Sequence, residues 1–146
     1  MRKINDAGLN LIKLFESCRL NTYKDIVGIN TIGFGHVGDV AFMGNVINQE
    51  TADNLLFEDL ERFESGVNHL VTSEINDNQF SALVSFAYNV GLGNLRSSHL
   101  LALVNSDNLE QAAGQFVRWD RAGGIEVSGL LRRREAERDL FIKEIV

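Results

Sequence analysis

Proline is absent from the 146-residue chain. Its helices must therefore stop on glycine, asparagine or turn chemistry. Cysteine is almost absent as well. The single Cys18 cannot close an internal disulfide, which excludes a disulfide-framed secreted scaffold. With Ser17 and Arg19 as neighbours and no Cys or His beside it, Cys18 reads as a packed thiol. Long apolar runs are missing too. The most apolar stretch, Ser81 to Leu92, is interrupted by Ser85 and Asn89 and falls far short of the roughly 20 residues that cross a bilayer. Arg2 and Lys3 start the chain, but no apolar segment follows them, so no Sec-type signal peptide is expected. Positive charge is in deficit. A net charge of −6 does not favour nucleic acid or anionic membrane. The rest is ordinary for a globular protein, 45% hydrophobic and 23% charged, with enough chain for one domain and a real core. No internal repeat or low-complexity tract interrupts it.

Hydrophobic spacing supplies the elements. Asn5 is a plausible N-cap for a first helix over 6–17, with Leu9, Ile12 and Phe15 inward and Lys13 on the far side. Residues 20–47 change character. Glycines at 28, 33, 35, 38 and 44 separate β-forming residues, predicting strands over 20–25 and 29–34 around Ile26-Val27-Gly28, with a possible third strand near Val46. Asn48 then caps a long helix running to about His69, whose Leu56, Leu60, Phe63, Val67 and Leu70 recur at steps of four and three. Everything after it is expected to be helical. A buried helix runs from Asp77 to Val90, stopped by Gly91 and Gly93; another is capped by Ser97 or Ser98 and runs through Val104. Two more cover Leu109 to Arg121 and Leu130 to Ile145. The resulting expectation is an α+β, mostly α fold. A small lobe (6–47) with an antiparallel hairpin sheet and a larger all-α lobe (71–146) are joined by one long helix (48–70), with a ligand cleft between the lobes.

The chemistry concentrates in "FESCRLNTYKDIVGINTIGFGH". Glu16 falls at the C-terminal turn of the first helix, where the helix dipole disfavours a carboxylate, and Phe15, Cys18 and Leu20 flank it. That suits a general acid. Asp25 lies at the strand-to-turn junction, and the hairpin folds it back toward Thr31. An acid, a carboxylate and a water-holding hydroxyl are the groups needed to cut a glycosidic bond. On spacing alone, an exposed helix-end Glu and a turn Asp explain these residues as well.

The segment resembles the signature of the phage-type lysozymes, the muramidase endolysins of glycoside hydrolase family 24. Glu16, Leu20, Tyr23, Asp25, Gly28, Thr31, Ile32, Gly33, Gly35 and His36 stand in register with it, and Ser17 departs from the usual glycine. Segments 47–60, 76–91 and 116–141 are similar to the family's inter-lobe helix, buried helix and closing segment, so the resemblance covers nearly the whole chain. It implies a lysozyme-like fold. It also implies hydrolysis of the β-1,4 bond between N-acetylmuramic acid and N-acetylglucosamine in peptidoglycan, without cofactor or metal, and host cell lysis at phage release. Glu16 would be the general acid, with Asp25 and Thr31 positioning the water and inversion the expected outcome. Val37, Tyr88, Ser98 and Gln115 match positions that line the family's sugar cleft. The matching positions also support an ion pair between His36 and Asp59 that ties the sheet to the long helix.

Other residues have competing readings. Ser85 and Asn89 form a polar stripe on the buried helix, either an internal hydrogen-bond network or a sugar-contacting face. Arg132, Arg133 and Arg134 are followed by Glu135, Glu137 and Asp139, so they read as ion pairs on a solvated face or as contacts to anionic peptide stems. His69 and His99 have no metal-ligand neighbours. Trp119 reads as packing. A lytic transglycosylase, which needs no water-positioning Asp and Thr, and an inactive peptidoglycan-binding module are the alternatives. No apolar N-terminal anchor is visible. The expectation is therefore a monomer with no membrane anchor, held in the host cytoplasm until a separate holin-like pore-former gives it access to the periplasm and cell wall.

Overall fold

The structure, a computed structural model, describes residues 1–122 and 124–144. The fold is α+β. It divides into two compact units, one of Ile12–Arg62 and one of Met1–Leu11 with Phe63–Val146.

The smaller unit holds the hairpin. Helix α1 (Asp6–Glu16) enters it from the larger unit, where the Asn5 side chain caps the helix by accepting the Gly8 N–H at 3.0 Å. The helix stops at Ser17, whose φ of +58° is left-handed and whose N–H donates back to the Lys13 carbonyl. This backbone accounts for the family's preference for glycine at that position, because a Cβ is strained there. We expect Ser17→Gly to raise stability by about 0.5–1 kcal/mol. A urea midpoint that does not rise would contradict this.

Strands β1 (Arg19–Lys24) and β2 (Asn30–Gly33) pair antiparallel, with Tyr23 opposite Thr31, Lys24 opposite Asn30, and an irregularity between Arg19 and Tyr23. The third strand near Val46 reduces to an isolated bridge between Asn21 and Val46. A tight turn follows β2. Positive φ at Gly33 (+67°) and Gly35 (+85°) lets Ile32 and His36 exchange both backbone hydrogen bonds at 2.9 Å. Ile32, Ala41 and Leu55 form the core of this unit, with Val40 and Ile47 packed on it. Lys13, placed on the far side of α1, has partners there. It pairs with Asp53 at 3.5 Å and lies over the Phe34 ring.

Helix α2 (Gln49–Leu70) starts where Asn48 accepts the Thr51 N–H at 2.8 Å. Its predicted stripe Leu56, Leu60, Phe63 and Val67 is buried, and Leu70 is half-buried. In the larger unit, α3 (Asp77–Val90) opens on a full capping box between Asn76 and Gln79 and is buried from Phe80 to Ala87. Helices α4 (Leu92–Ser97) and α5 (His99–Asn105) follow. Two expectations fail here. The single helix predicted from Leu109 to Arg121 is instead α6 (Leu109–Ala113) and a 3₁₀ turn (Phe116–Arg118), parted at Gly114. The larger lobe is not all-α either, because β3 (Arg121–Ala122) and β4 (Ile125–Glu126) form a second short hairpin. Helix α7 (Ser128–Ile142) closes the fold, and the predicted end at Ile145 lies outside the described residues. Phe86 of α3 meets Phe116 and Trp119 edge-on, with ring centroids 5.6 and 5.5 Å away, so Trp119 packs as expected.

Candidate active site

The hairpin carries the three residues singled out for chemistry. Glu16 is the last residue of α1 and is half-buried. Asp25 follows β1 directly and organises the turn. Its Oδ1 accepts the N–H groups of Val27 and Ile29, both at 2.9 Å, while its own N–H donates to the Ile29 carbonyl. One carboxylate oxygen thus builds the turn, which is the structural role a turn aspartate ordinarily plays. Among the described residues Oδ2 has no hydrogen-bond partner, so it remains an acceptor for something else.

Thr31 lies across from Tyr23 and is only 4% exposed. Its hydroxyl donates to the Ile29 carbonyl at 2.9 Å. That bond uses its one proton, so toward any further partner Thr31 can only accept. Asp25 Oδ2 and Thr31 Oγ1 are therefore two acceptors held by one turn, both through Ile29.

Tyr23 connects this pair to Glu16. Burial pushes its phenol above the ordinary tyrosine range, and the charges of Glu16 and Asp25 push it further, while Arg19 acts in the opposite direction. Along the chain Tyr23 lies between Glu16 and Asp25, and both carboxylates act on its phenol. Arg19 stacks on the Tyr23 ring, its guanidinium carbon 4.3 Å from the ring centroid. Spacing alone did not single out Arg19 and Tyr23. The signal, four residues across an irregular strand, is legible only once the irregularity is seen.

His36 is where the sequence placed it. Its Nδ1 lies 2.8 Å from Asp59 Oδ2, and both side chains are largely buried. The pair ties the turn after β2 to α2 within the smaller unit. We expect His36→Asn to lower stability by about 1 kcal/mol, with Asp59→Asn adding little on top of it. Additive losses in thermal melts of the single and double variants would argue against the coupling.

The residues expected to contact sugar separate by exposure. Val37 is exposed, and Tyr88 and Gln115 are half-buried. Tyr88 packs edge-on against Phe63. Ser98 is buried and caps α5, donating to the Leu95 carbonyl and accepting the Leu101 N–H. Ser85 is fully buried and donates to Glu137 at 2.6 Å, so it belongs to an internal network and not to a sugar-contacting face. Asn89 is exposed and accepts from Arg134 at 2.9 Å.

The arginine cluster departs from the expected solvated face at two of its three positions. Arg132 is exposed, but Arg133 and Arg134 are buried with Glu137. Glu137 lies 3.2 Å from Arg133 Nε and 2.8 Å from Arg134 Nε, and Arg134 lies over the Phe86 ring. Burial pushes the Glu137 carboxyl up, against the pull of Arg134, Arg133 and the Ser85 hydroxyl. Neither buried arginine forms a solvated face. Among the described residues no group of three or more His, Cys, Asp and Glu could hold a metal ion.

The family model for phage lysozyme matches residues 13–137. The endolysin of Bacillus phage B103 is 46% identical over 141 residues, covering 95% of this chain and 54% of that protein. The endolysin of Salmonella phage P22 is 38% identical, covering 97% of this chain and 99% of that one. The chain spans about half the length of the Bacillus phage B103 and PZA endolysins. Among solved structures, the muramidase domain of SpmX from Asticaccaulis excentricus superposes with a TM-score of 0.92 at 36% identity, covering 99% of this chain and all of that one. With the signature hairpin, the matched span and this superposition in agreement, the chain belongs to the phage lysozyme family.

Proposed function

We propose that this protein is a muramidase of the endolysin type, cutting the β-1,4 bond between N-acetylmuramic acid and N-acetylglucosamine in peptidoglycan. The observation that carries the reading is the pair of acceptors on one turn, Asp25 Oδ2 and Thr31 Oγ1, with Glu16 at the end of α1. A water bound there gives one hydrogen to each acceptor. Both hydrogens then point toward the protein, and the lone pairs point away, toward an anomeric carbon. Glu16 protonates the departing glycosidic oxygen while Asp25 takes the proton from the attacking water. The hydroxide equivalent bonds to the anomeric carbon as the bond to the leaving oxygen breaks. Attack by a held water from the face opposite the leaving group inverts the anomeric centre. His36 and Asp59 fix the turn that follows β2 and take no part in the bond-making.

Support also comes from the relatives, the B103 and P22 proteins being named endolysins. Mass spectrometry of digested peptidoglycan tests the reading. Reducing ends are expected, and 1,6-anhydro ends would mean a lytic transglycosylase in which the Asp25–Thr31 acceptors have no task. In the same reading the enzyme works as a monomer and stays in the host cytoplasm until a separate pore-former gives it access to the wall.

A further inference from the structure

Arg19 presents a charge that the mechanism above does not use. It stacks on Tyr23, and among the described residues no carboxylate pairs with it. Among the described residues Arg96, Arg118 and Arg132 are also exposed without a carboxylate partner, and Arg19 differs from these in having an aromatic ring beneath it. A ring beneath the guanidinium restricts its rotamers, so less freedom is lost when it forms hydrogen bonds. Arg19, Leu20, Asn21, Thr22 and Tyr23 together line a hollow of about 420 Å³ on β1. The register slips between Arg19 and Tyr23, and across that irregularity the Arg19 guanidinium lies over the Tyr23 ring. Thr31, directly opposite Tyr23, has its side chain on the same face as that ring. The hollow therefore offers a guanidinium fork seated on a ring, an exposed side-chain amide from Asn21 and a phenol, on the same hairpin as Asp25 and Thr31.

We propose that this hollow is a carboxylate-binding subsite, in which Arg19, oriented by Tyr23, takes a free carboxylate of the peptide stem carried by the muramic acid residue. The proposal rests on the muramidase reading and extends it from the glycan to the stem. A planar fork matches a carboxylate with two parallel hydrogen bonds, which a neutral sugar cannot offer. The subsite gives an otherwise anionic protein a local attraction for an anionic substrate.

The test has a binding arm and a turnover arm. In the first, Glu16→Gln protein is titrated with a soluble stem-bearing disaccharide, once with free stem carboxylates and once with those carboxylates amidated. Adding Arg19→Gln is expected to weaken binding of the free-carboxylate ligand about tenfold, and amidation alone is expected to do the same. Arg19→Lys, which keeps the charge but loses the fork, falls between. In the second arm, native enzyme digests peptidoglycan freed of wall-linked phosphate polymers, and the same glycan after its stems have been removed. The preference for stem-bearing glycan should fall about tenfold in Arg19→Gln, through KM and not kcat. Equal affinity for the carboxylate and amidated ligands, or an equal loss on both glycans, would overturn the subsite. Failure of native protein to cut either glycan while the binding difference persists would overturn the hydrolase reading and leave the carboxylate site standing.

Discussion

Glu16→Gln should reduce turnover of peptidoglycan by about 10²–10⁴-fold, the range that a positioned general acid contributes. The substitution keeps the shape of the side chain at the end of α1 and removes its transferable proton. Clearing of permeabilised cells, followed by turbidity, gives the rate, and circular dichroism shows whether the helices are retained. Asp25→Asn should also lose activity, but for a different reason. Its amide can still build the turn through its oxygen, yet the group is no longer a base for water. Thr31→Val removes one of the two acceptors for the water, while Thr31→Ser keeps it. A Glu16→Gln protein that clears cells at the native rate would show that no proton passes through this side chain.

The second large effect lies in the larger unit. Glu137→Gln should destabilise the protein by about 3 kcal/mol, because it removes the carboxylate shared by two buried guanidiniums. For a chain of this length that is a fall of about 10 °C in Tm. The Arg133 contact to the Ser85 carbonyl and the Arg134 contact to Asn89 survive the change, but neither supplies negative charge. Ser85→Ala removes a single hydrogen bond to Glu137 and should cost about 1 kcal/mol. A Glu137→Gln protein melting within a degree or two of the native one would mean that the carboxylate is not the counter-charge of the cluster.

The hairpin is legible in the sequence because its constraints are local. Gly33 and Gly35 mark a turn that needs positive φ, and Asp25 marks a turn built by its own carboxylate. Helix α2 is legible from its stripe, and Asn5 and Asn48 cap helices as their positions suggest. The second hairpin is not legible, because two strands of two residues carry no alternation to read. The break at Gly114 is masked for another reason. Ala112, Ala113 and Phe116 are buried on either side of it, so the apolar spacing runs on through the turn.

The buried arginines fail for the opposite reason, distance. Three consecutive arginines read as solvated because an isolated guanidinium is expensive to bury. What buries Arg133 and Arg134 is Glu137 at i+4 and i+3, together with Ser85, 52 residues before Glu137 in the chain. Only the packing of α3 against α7 brings that serine to the carboxylate. The same packing takes Ser85 away from any sugar. The polar stripe of Ser85 and Asn89 is therefore correctly recognised as a stripe, and its partner is an internal charge cluster.

Fresh product examined by proton NMR, before the anomers equilibrate, tests the central claim most directly. Water delivered by Asp25 and Thr31 from the face opposite Glu16 must yield the α-anomer at the new reducing end first. First appearance of the β-anomer would mean that a side chain, not the held water, attacks the sugar, and a 1,6-anhydro product would mean that no water attacks at all.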